Sequence, residues 1–159
     1  MINRDMNTEE KIEPIKTDEA LELVKAELVR TLSKAPLIIR EYTRHLAASF
    51  GKLIRASSVL TCAEDKDGLV SADAIKIAAA IEILHLATLV HDDIIDNAGL
   101  RRGDVTLQKK YGKRTAVICG DYLLSVALRM AAGVKNRKDY IDPELPDYVG
   151  RICLGELNQ

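Results

Sequence analysis

The chain has 159 residues, enough for one domain with a real core, and it is 47% hydrophobic but only 4% aromatic with no Trp, an aliphatic richness that favours helices. Its 23 Lys and Arg against 24 Asp and Glu leave a net charge of −1, which excludes the broad basic field that nucleic acid or an anionic membrane would require, so any anion must be bound locally. Three widely spaced cysteines, Cys62, Cys119 and Cys153, with no signal peptide and no apolar run of about 18 or more residues, point to reduced thiols in a cytoplasmic protein.

Residues 1–16 are polar and read as a flexible arm, with residues 17–159 as one helical domain. Thr17 or Asp18 is expected to cap a helix running to about Lys34, whose apolar stripe is Leu21, Val24, Leu28, Val29 and Leu32. Pro36 starts a second helical stretch through Leu37, Ile38 and Leu46 to Phe50, and Gly51 stops it. The next stretch, GKLIRASSVL, places Lys52 and Arg55 at i and i+3 on the first turn of a new helix. Such a pair is either a solvated basic face or an anion site, because a helix N-terminus adds free N–H groups and a favourable dipole.

Asp65 to Gly68 make a turn, and Ser71 or Asp73 caps a long central helix over residues 72–97 that is apolar nearly all round, as a helix buried on most sides of a bundle must be. On it Ile81, His85, Thr88 or Leu89, Asp92 and Asp96 follow steps of three or four, which puts His85 two turns before an acidic pair on the same face. His85 is then either a satisfied core residue, with Glu82 as its partner, or part of a site. Asp92 and Asp96 at i and i+4 hold their Cβ atoms about 5–6 Å apart, close enough to repel unless solvated, protonated or bridged by a cation. Hard oxygen ligands with room for water suit Mg²⁺ better than zinc. Arg101 and Arg102 follow Gly99 just past the helix end, where planar guanidinium forks can grip phosphate oxygens, so the order is metal first and phosphate second.

Beyond the arginines, Thr106 to Tyr111 can form a short helix that Gly112 breaks. The apolar stretch TAVICGDYLLSVALRMAA reads as a further helix, with Asp121 expected to make a hydrogen bond inside the bundle rather than to bind metal. Residues 133–146 read as a loop, and Tyr148 to Gln159 begin another helix.

Five motifs together resemble the trans-isoprenyl diphosphate synthases. They are the Gly-Lys-x-x-Arg of Gly51, Lys52 and Arg55; His85; the DDxxD of Asp92, Asp93 and Asp96 with its paired Arg101 and Arg102; Gly-Asp-Tyr-Leu at 120–123; and Gly155, Glu156 and Gln159 of a Gly-Glu-x-x-Gln segment. Resemblance covers about residues 36–159 and corresponds to the first half of the family's length. It implies an all-α fold, an incomplete isoprenoid synthase-type helical bundle. It implies a polyprenyl diphosphate synthase that condenses isopentenyl diphosphate with an allylic diphosphate, using Mg²⁺, as a homodimer or a heteromer.

By the same resemblance the catalytic residues are Asp92, Asp93 and Asp96, with Asp92 and Asp96 as metal ligands and Asp93 supporting them. Lys52, Arg55, His85 and Arg102 bind isopentenyl diphosphate, and Arg101 binds the allylic diphosphate. Ile81, Leu84, Ala87 and Thr88 line the path of the growing prenyl chain, and small Ala87 and Thr88 imply products longer than farnesyl. Two departures stand out: Ala56 occupies a position where the family often has Pro, and the later Lys-Thr pair and second aspartate-rich motif do not occur in these residues. The chain by itself is therefore expected to be inactive and to associate with a chain supplying the remaining half. Two other functions stay open, a non-catalytic diphosphate-binding partner subunit of a heteromeric synthase and an HD-type metal phosphohydrolase built on His85 and the His91-Asp92 pair.

Overall fold

A computed structural model describes residues 14–47, 50–140, 142 and 144–158. Residues 1–13 of the arm expected at 1–16, and Gln159 of the Gly-Glu-x-x-Gln segment, lie outside these residues. Among them the elements run β1 (Ile15–Lys16), α1 (Thr17–Ser33), α2 (Leu37–Ala47), α3 (Ile54–Cys62), β2 (Leu69–Val70), α4 (Ala72–Ile95), β3 (Leu100–Arg101), β4 (Asp104–Val105), α5 (Leu107–Tyr111), α6 (Lys113–Ala132), α7 (Arg137–Tyr140) and α8 (Leu145–Glu156). The strands form two small antiparallel ladders: Ile15 and Lys16 pair with Val70 and Leu69, and β3 pairs with β4.

The core forms around α4, which packs most extensively on α6 and then on α3 and α1. Ala74, Ala78 and Ala79 give α4 a small-residue surface on which neighbours approach closely, while Leu28, Leu32, Leu60, Ile83 and Leu123 fill the space between helices. Its first half is buried nearly all round; from Ile83 the buried positions fall to Ile83, Ala87, Val90 and Asp93. That leaves His85 half-buried and Thr88, Asp92, Ile95 and Asp96 exposed, a face set by steps of three and four. Ser71 caps α4, its hydroxyl accepting from the Ala74 N–H, while Asp73 instead accepts from the N–H groups of Lys135 and Asn136 and ties the end of α6 back to the start of α4.

Several expectations need correction. Neither Thr17 nor Asp18 caps α1, which has no side-chain cap; the Thr17 hydroxyl donates to Glu64 across the ladder instead. Val29 is 51% exposed, because the buried stripe of α1 runs through Ala20, Val24, Leu28 and Leu32 and turns Val29 outward. Leu37 and Ile38 on α2 are likewise solvent-facing, with Ile39 and Thr43 turned inward. Helix α4 stops at Ile95, since Asn97 takes a left-handed φ of 51°, and the expected loop at 133–146 contains α7. Helices α4 and α6 are each long and apolar enough to cross a membrane by length and composition, contrary to the reading of the bare sequence; α4 owes its apolarity to burial within the bundle.

Candidate functional site

Four residues of three separate motifs meet at one cavity. Lys52, Arg55, His85 and Arg102 line it together with Phe50, Gly51, Glu82 and Leu86, and its volume is about 80 Å³. The segment that brings Lys52 there is not the first turn of a helix, as the sequence suggested. Leu53 interrupts the chain with a left-handed backbone, φ 51° and ψ 38°, and α3 starts at Ile54. For a branched apolar residue that conformation is a strained one, held here because the Leu53 side chain is buried and its carbonyl accepts from both the N–H and the hydroxyl of Ser57. Lys52 consequently projects ahead of the helix, and Arg55 from its first turn.

Arg102 arrives on a hairpin that the sequence did not disclose. In the β3–β4 ladder Leu100 faces Val105 and Arg101 faces Asp104, leaving Arg102 and Gly103 as a two-residue turn with φ values of 53° and 92°. Positive φ at both central positions matches the turn that follows the natural twist of paired strands. The hairpin is fastened at both ends, because Thr106 and Gln108 side chains donate to the Ala98 carbonyl, and His45 Nε2 donates to the Val105 carbonyl at 2.8 Å. The guanidinium of Arg102 then lies against Gly51, where any Cβ would collide with it. Gly51 entered the sequence reading only as the first residue of the Gly-Lys-x-x-Arg motif, not as the seat of Arg102, and no sequence signal marked His45 as a support of the hairpin.

No ion pair engages Lys52, Arg55 or Arg102 among the described residues. Three unpaired cations around one concavity have the chemistry to hold an anion. The His85 imidazole is held below its ordinary pKa, first by burial and then by the neighbouring Arg55, with Arg102 and Arg101 adding to the effect and Glu82 opposing it. Glu82 is not the hydrogen-bonding partner that the core reading of His85 offered; its Oε1 accepts from the Ala56 N–H at 2.9 Å.

The three aspartates divide into two kinds. Asp93 is buried and its Oδ1 accepts from Arg101 Nε at 2.8 Å, which orients that guanidinium while leaving its terminal nitrogens to donate elsewhere. Asp92 and Asp96 are exposed and, among the described residues, free of ion pairs, with Asp96 just past the last residue of α4. Two unengaged carboxylates at i and i+4 fit a hard cation that keeps several waters and takes further oxygens from a phosphate. Among the described residues no group of three or more His, Cys, Asp and Glu could hold a metal. Asp121, expected inside the bundle, is on the outer face of α6 and pairs with His91 Nε2 at 3.3 Å; Gly120 makes room for that imidazole, since a Cβ there would strike it.

The four positions assigned to the chain path do not form one surface. Ala87 is 2% exposed within the core, Thr88 is exposed with its hydroxyl turned back to the His85 carbonyl, and Ile81 and Leu84 are half-buried. Steps of one residue rotate a helix by about 100°, enough to send adjacent side chains to core and solvent.

Against known families, a model of the polyprenyl synthetases matches residues 36–159. The chain belongs to the polyprenyl synthetase family. Component 2 of the heptaprenyl diphosphate synthase of Bacillus subtilis is 34% identical over 140 residues, covering 87% of this chain and 39% of that protein. The geranylgeranyl diphosphate synthase of Saccharolobus solfataricus is 48% identical over 85 residues, covering 54% of this chain and 25% of that one. Among solved structures, heptaprenyl diphosphate synthase from Staphylococcus aureus superposes with a TM-score of 0.75 at 30% identity over 91% of this chain and 45% of that one. The fold is thus that of the isoprenoid synthase helical bundle, in part: the chain spans about two fifths of the length of the Bacillus relative. A polyprenyl synthetase match that runs through Lys52, His85 and the aspartates leaves the HD-type phosphohydrolase reading unsupported.

Proposed function

We propose that this chain is the part of a Mg²⁺-dependent polyprenyl diphosphate synthase that binds isopentenyl diphosphate and the allylic diphosphate. One observation carries the reading: Lys52, Arg55, His85 and Arg102 converge on a single cavity without carboxylate partners, next to the helix face that ends in Asp92 and Asp96. Lys52, Arg55 and Arg102 hold the isopentenyl diphosphate through charge-assisted hydrogen bonds, and His85 supplies a further polar contact. Arg101, fixed by Asp93, faces the allylic diphosphate. Magnesium at Asp92 and Asp96 would offset the charge of the departing allylic diphosphate. The chain's own cations keep the nucleophilic double bond in position while the carbon–carbon bond forms and a proton is lost. Products longer than farnesyl remain part of this reading, resting now on the small, exposed Thr88 rather than on the core residue Ala87.

A second reading has its own support. The Bacillus and Geobacillus relatives are named as component 2 of a heptaprenyl diphosphate synthase, so a chain of this family can be one part of a heteromeric synthase. Here the same pocket would bind diphosphate on behalf of a partner chain. Calorimetry with isopentenyl diphosphate, followed by incorporation of radiolabelled isopentenyl diphosphate into prenyl products, tests both. Binding with turnover in the isolated chain supports the synthase and overturns its expected inactivity, binding without turnover is the outcome both readings expect of this chain alone, and no binding removes both.

A further inference from the structure

The carboxylate of Glu82 is an anomaly in a pocket meant for anions. It lines the same cavity as Lys52, Arg55, His85 and Arg102, is 9% exposed, and forms no ion pair with any of them. A buried charge of the ligand's own sign should repel a diphosphate, and a buried charge without compensation is costly. Its compensation lies in the backbone. Ala56 is the third residue of α3, and its N–H is among those that a helix start leaves without an intrahelical acceptor. The residue that would ordinarily serve, Leu53, has no polar side chain and sits in a left-handed conformation, so α3 has no side-chain cap of its own. Glu82 reaches across from α4 and accepts that N–H at 2.9 Å, where the positive end of the helix dipole also favours a carboxylate.

We infer that Glu82 is the positioning residue of the anion pocket: a cap donated from α4 that holds the start of α3, and with it Lys52 and Arg55, in the conformation that grips diphosphate. This rests on the proposed reading of the pocket. The arrangement explains why a carboxylate is tolerated there. Spending its acceptor on a backbone N–H leaves both cations of the Gly-Lys-x-x-Arg segment free, whereas a salt bridge to Arg55 would compete with the ligand. It also helps to hold the strained Leu53, because a left-handed residue directly before a helix persists only where its surroundings fix it. Ser57 fixes the Leu53 carbonyl and Glu82 fixes the Ala56 N–H, both on the helix side of that residue, while the buried Leu53 side chain anchors the residue itself.

The test uses the full 159-residue chain, inorganic pyrophosphate in magnesium-free buffer, and the variants Glu82→Gln and Glu82→Leu. Gln keeps an oxygen that can accept from Ala56; Leu keeps the bulk and loses the acceptor. Pyrophosphate affinity by calorimetry should stay within about threefold of wild type in Glu82→Gln and fall about tenfold in Glu82→Leu, the loss of roughly one charge-assisted contact. Hydrogen exchange should show the Ala56 amide protected in wild type and Glu82→Gln and open in Glu82→Leu, with α4 and α6 unchanged. Should Glu82→Leu fail to fold, Glu82→Asp, whose carboxylate falls one methylene short of Ala56, carries the same comparison. A folded Glu82→Leu or Glu82→Asp that binds pyrophosphate as wild type does, or that keeps Ala56 protected, overturns the assignment alone. A wild-type chain that binds no pyrophosphate overturns the reading of the pocket, and the assignment with it.

Discussion

The guanidinium of Arg102 rests on the Cα of Gly51, with its Cζ 3.0 Å from where a Cβ would stand, so a residue just past α4 is placed by the lack of a side chain just over fifty positions earlier. Gly51 has no positive φ that would forbid alanine. Gly51→Ala should therefore leave the melting temperature within a few degrees, because the colliding atoms are the movable end of a long side chain. It should nevertheless displace Arg102 and weaken isopentenyl diphosphate binding by about tenfold, the effect expected of Arg102→Ala itself. Calorimetry on both variants checks this, and unchanged affinity in Gly51→Ala would show that Arg102 binds from another position.

Asp92 and Asp96 are exposed and unpaired, which makes them available to a cation and inessential to the core. Mg²⁺ together with a diphosphate analogue should slow hydrogen exchange at the end of α4 in the wild-type chain but not in Asp92→Ala or Asp96→Ala. Asp93→Ala should behave differently, because it frees a buried contact: Arg101 loses its 2.8 Å partner and the hairpin loosens. Equal protection in all the variants would remove the metal assignment.

His85 gives the pocket a pH dependence whose sign is fixed by its surroundings. Burial and Arg55 lower its folded pKa below the ordinary value of 6.5, so between the folded and unfolded values the unfolded chain binds more protons. Stability therefore rises with pH through that window and is fully present above about pH 6.5. Denaturant midpoints should fall as pH drops below this value and should fall less in His85→Gln. Identical slopes in the two proteins would mean that another group carries the dependence.

Sequence alone discloses the central helix, its start beside Ser71 and the residue types gathered near its end, because DDxxD, Gly-Lys-x-x-Arg and paired arginines are local spacings. Tertiary packing decides the rest. Val29 and Ile38 share the composition of buried positions and are exposed because the burying surfaces of α1 and α2 are set by their neighbours rather than by apolarity. Glu82 reads as a partner for His85 three residues away on one helix, yet its nearest strong donor is a backbone N–H on α3, 26 residues earlier in the chain. Leu53 carries no glycine to announce a left-handed break. Such features arise only when elements meet.

Ala87 and Thr88, adjacent in sequence, separate two consequences of one substitution. Ala87 is packed in the core, so Ala87→Phe forces a large ring into filled space and should cost about 1–3 kcal/mol, read as a lower urea midpoint. Thr88 faces outward on the side of α4 that leads to Asp92, so Thr88→Phe should change stability by less than about 0.5 kcal/mol. In a complete synthase only Thr88→Phe should then shorten the product without a stability loss. A longer or unchanged product from that variant would mean that the prenyl chain follows another face.

Helix α6 presents Val117, Ile118, Leu124 and Leu128 to solvent at 41%, 54%, 38% and 62% exposure; Val117, Leu124 and Leu128 share one side of the helix with Asp121, and Ile118 lies about 100° round from Val117. Scattered apolar side chains are ordinary on a surface, but four on the outer side of one helix between Val117 and Leu128 make an apolar stripe, interrupted by Asp121, of the kind an interface covers. Leu37 and Ile38 on α2 add further exposed apolar area elsewhere on the chain. The isolated chain should therefore self-associate, with the α6 stripe as the main contact, and light scattering should report a mass above that of a monomer. Ile118→Glu combined with Leu128→Glu should return it to monomer, since two buried like charges in an interface are unfavourable. Far-UV circular dichroism should stay unchanged, because neither side chain belongs to the core of the bundle. A wild-type chain that remains monomeric at high concentration would show that the stripe alone does not drive association, and a double variant that still associates would move the contact to α2 or α8.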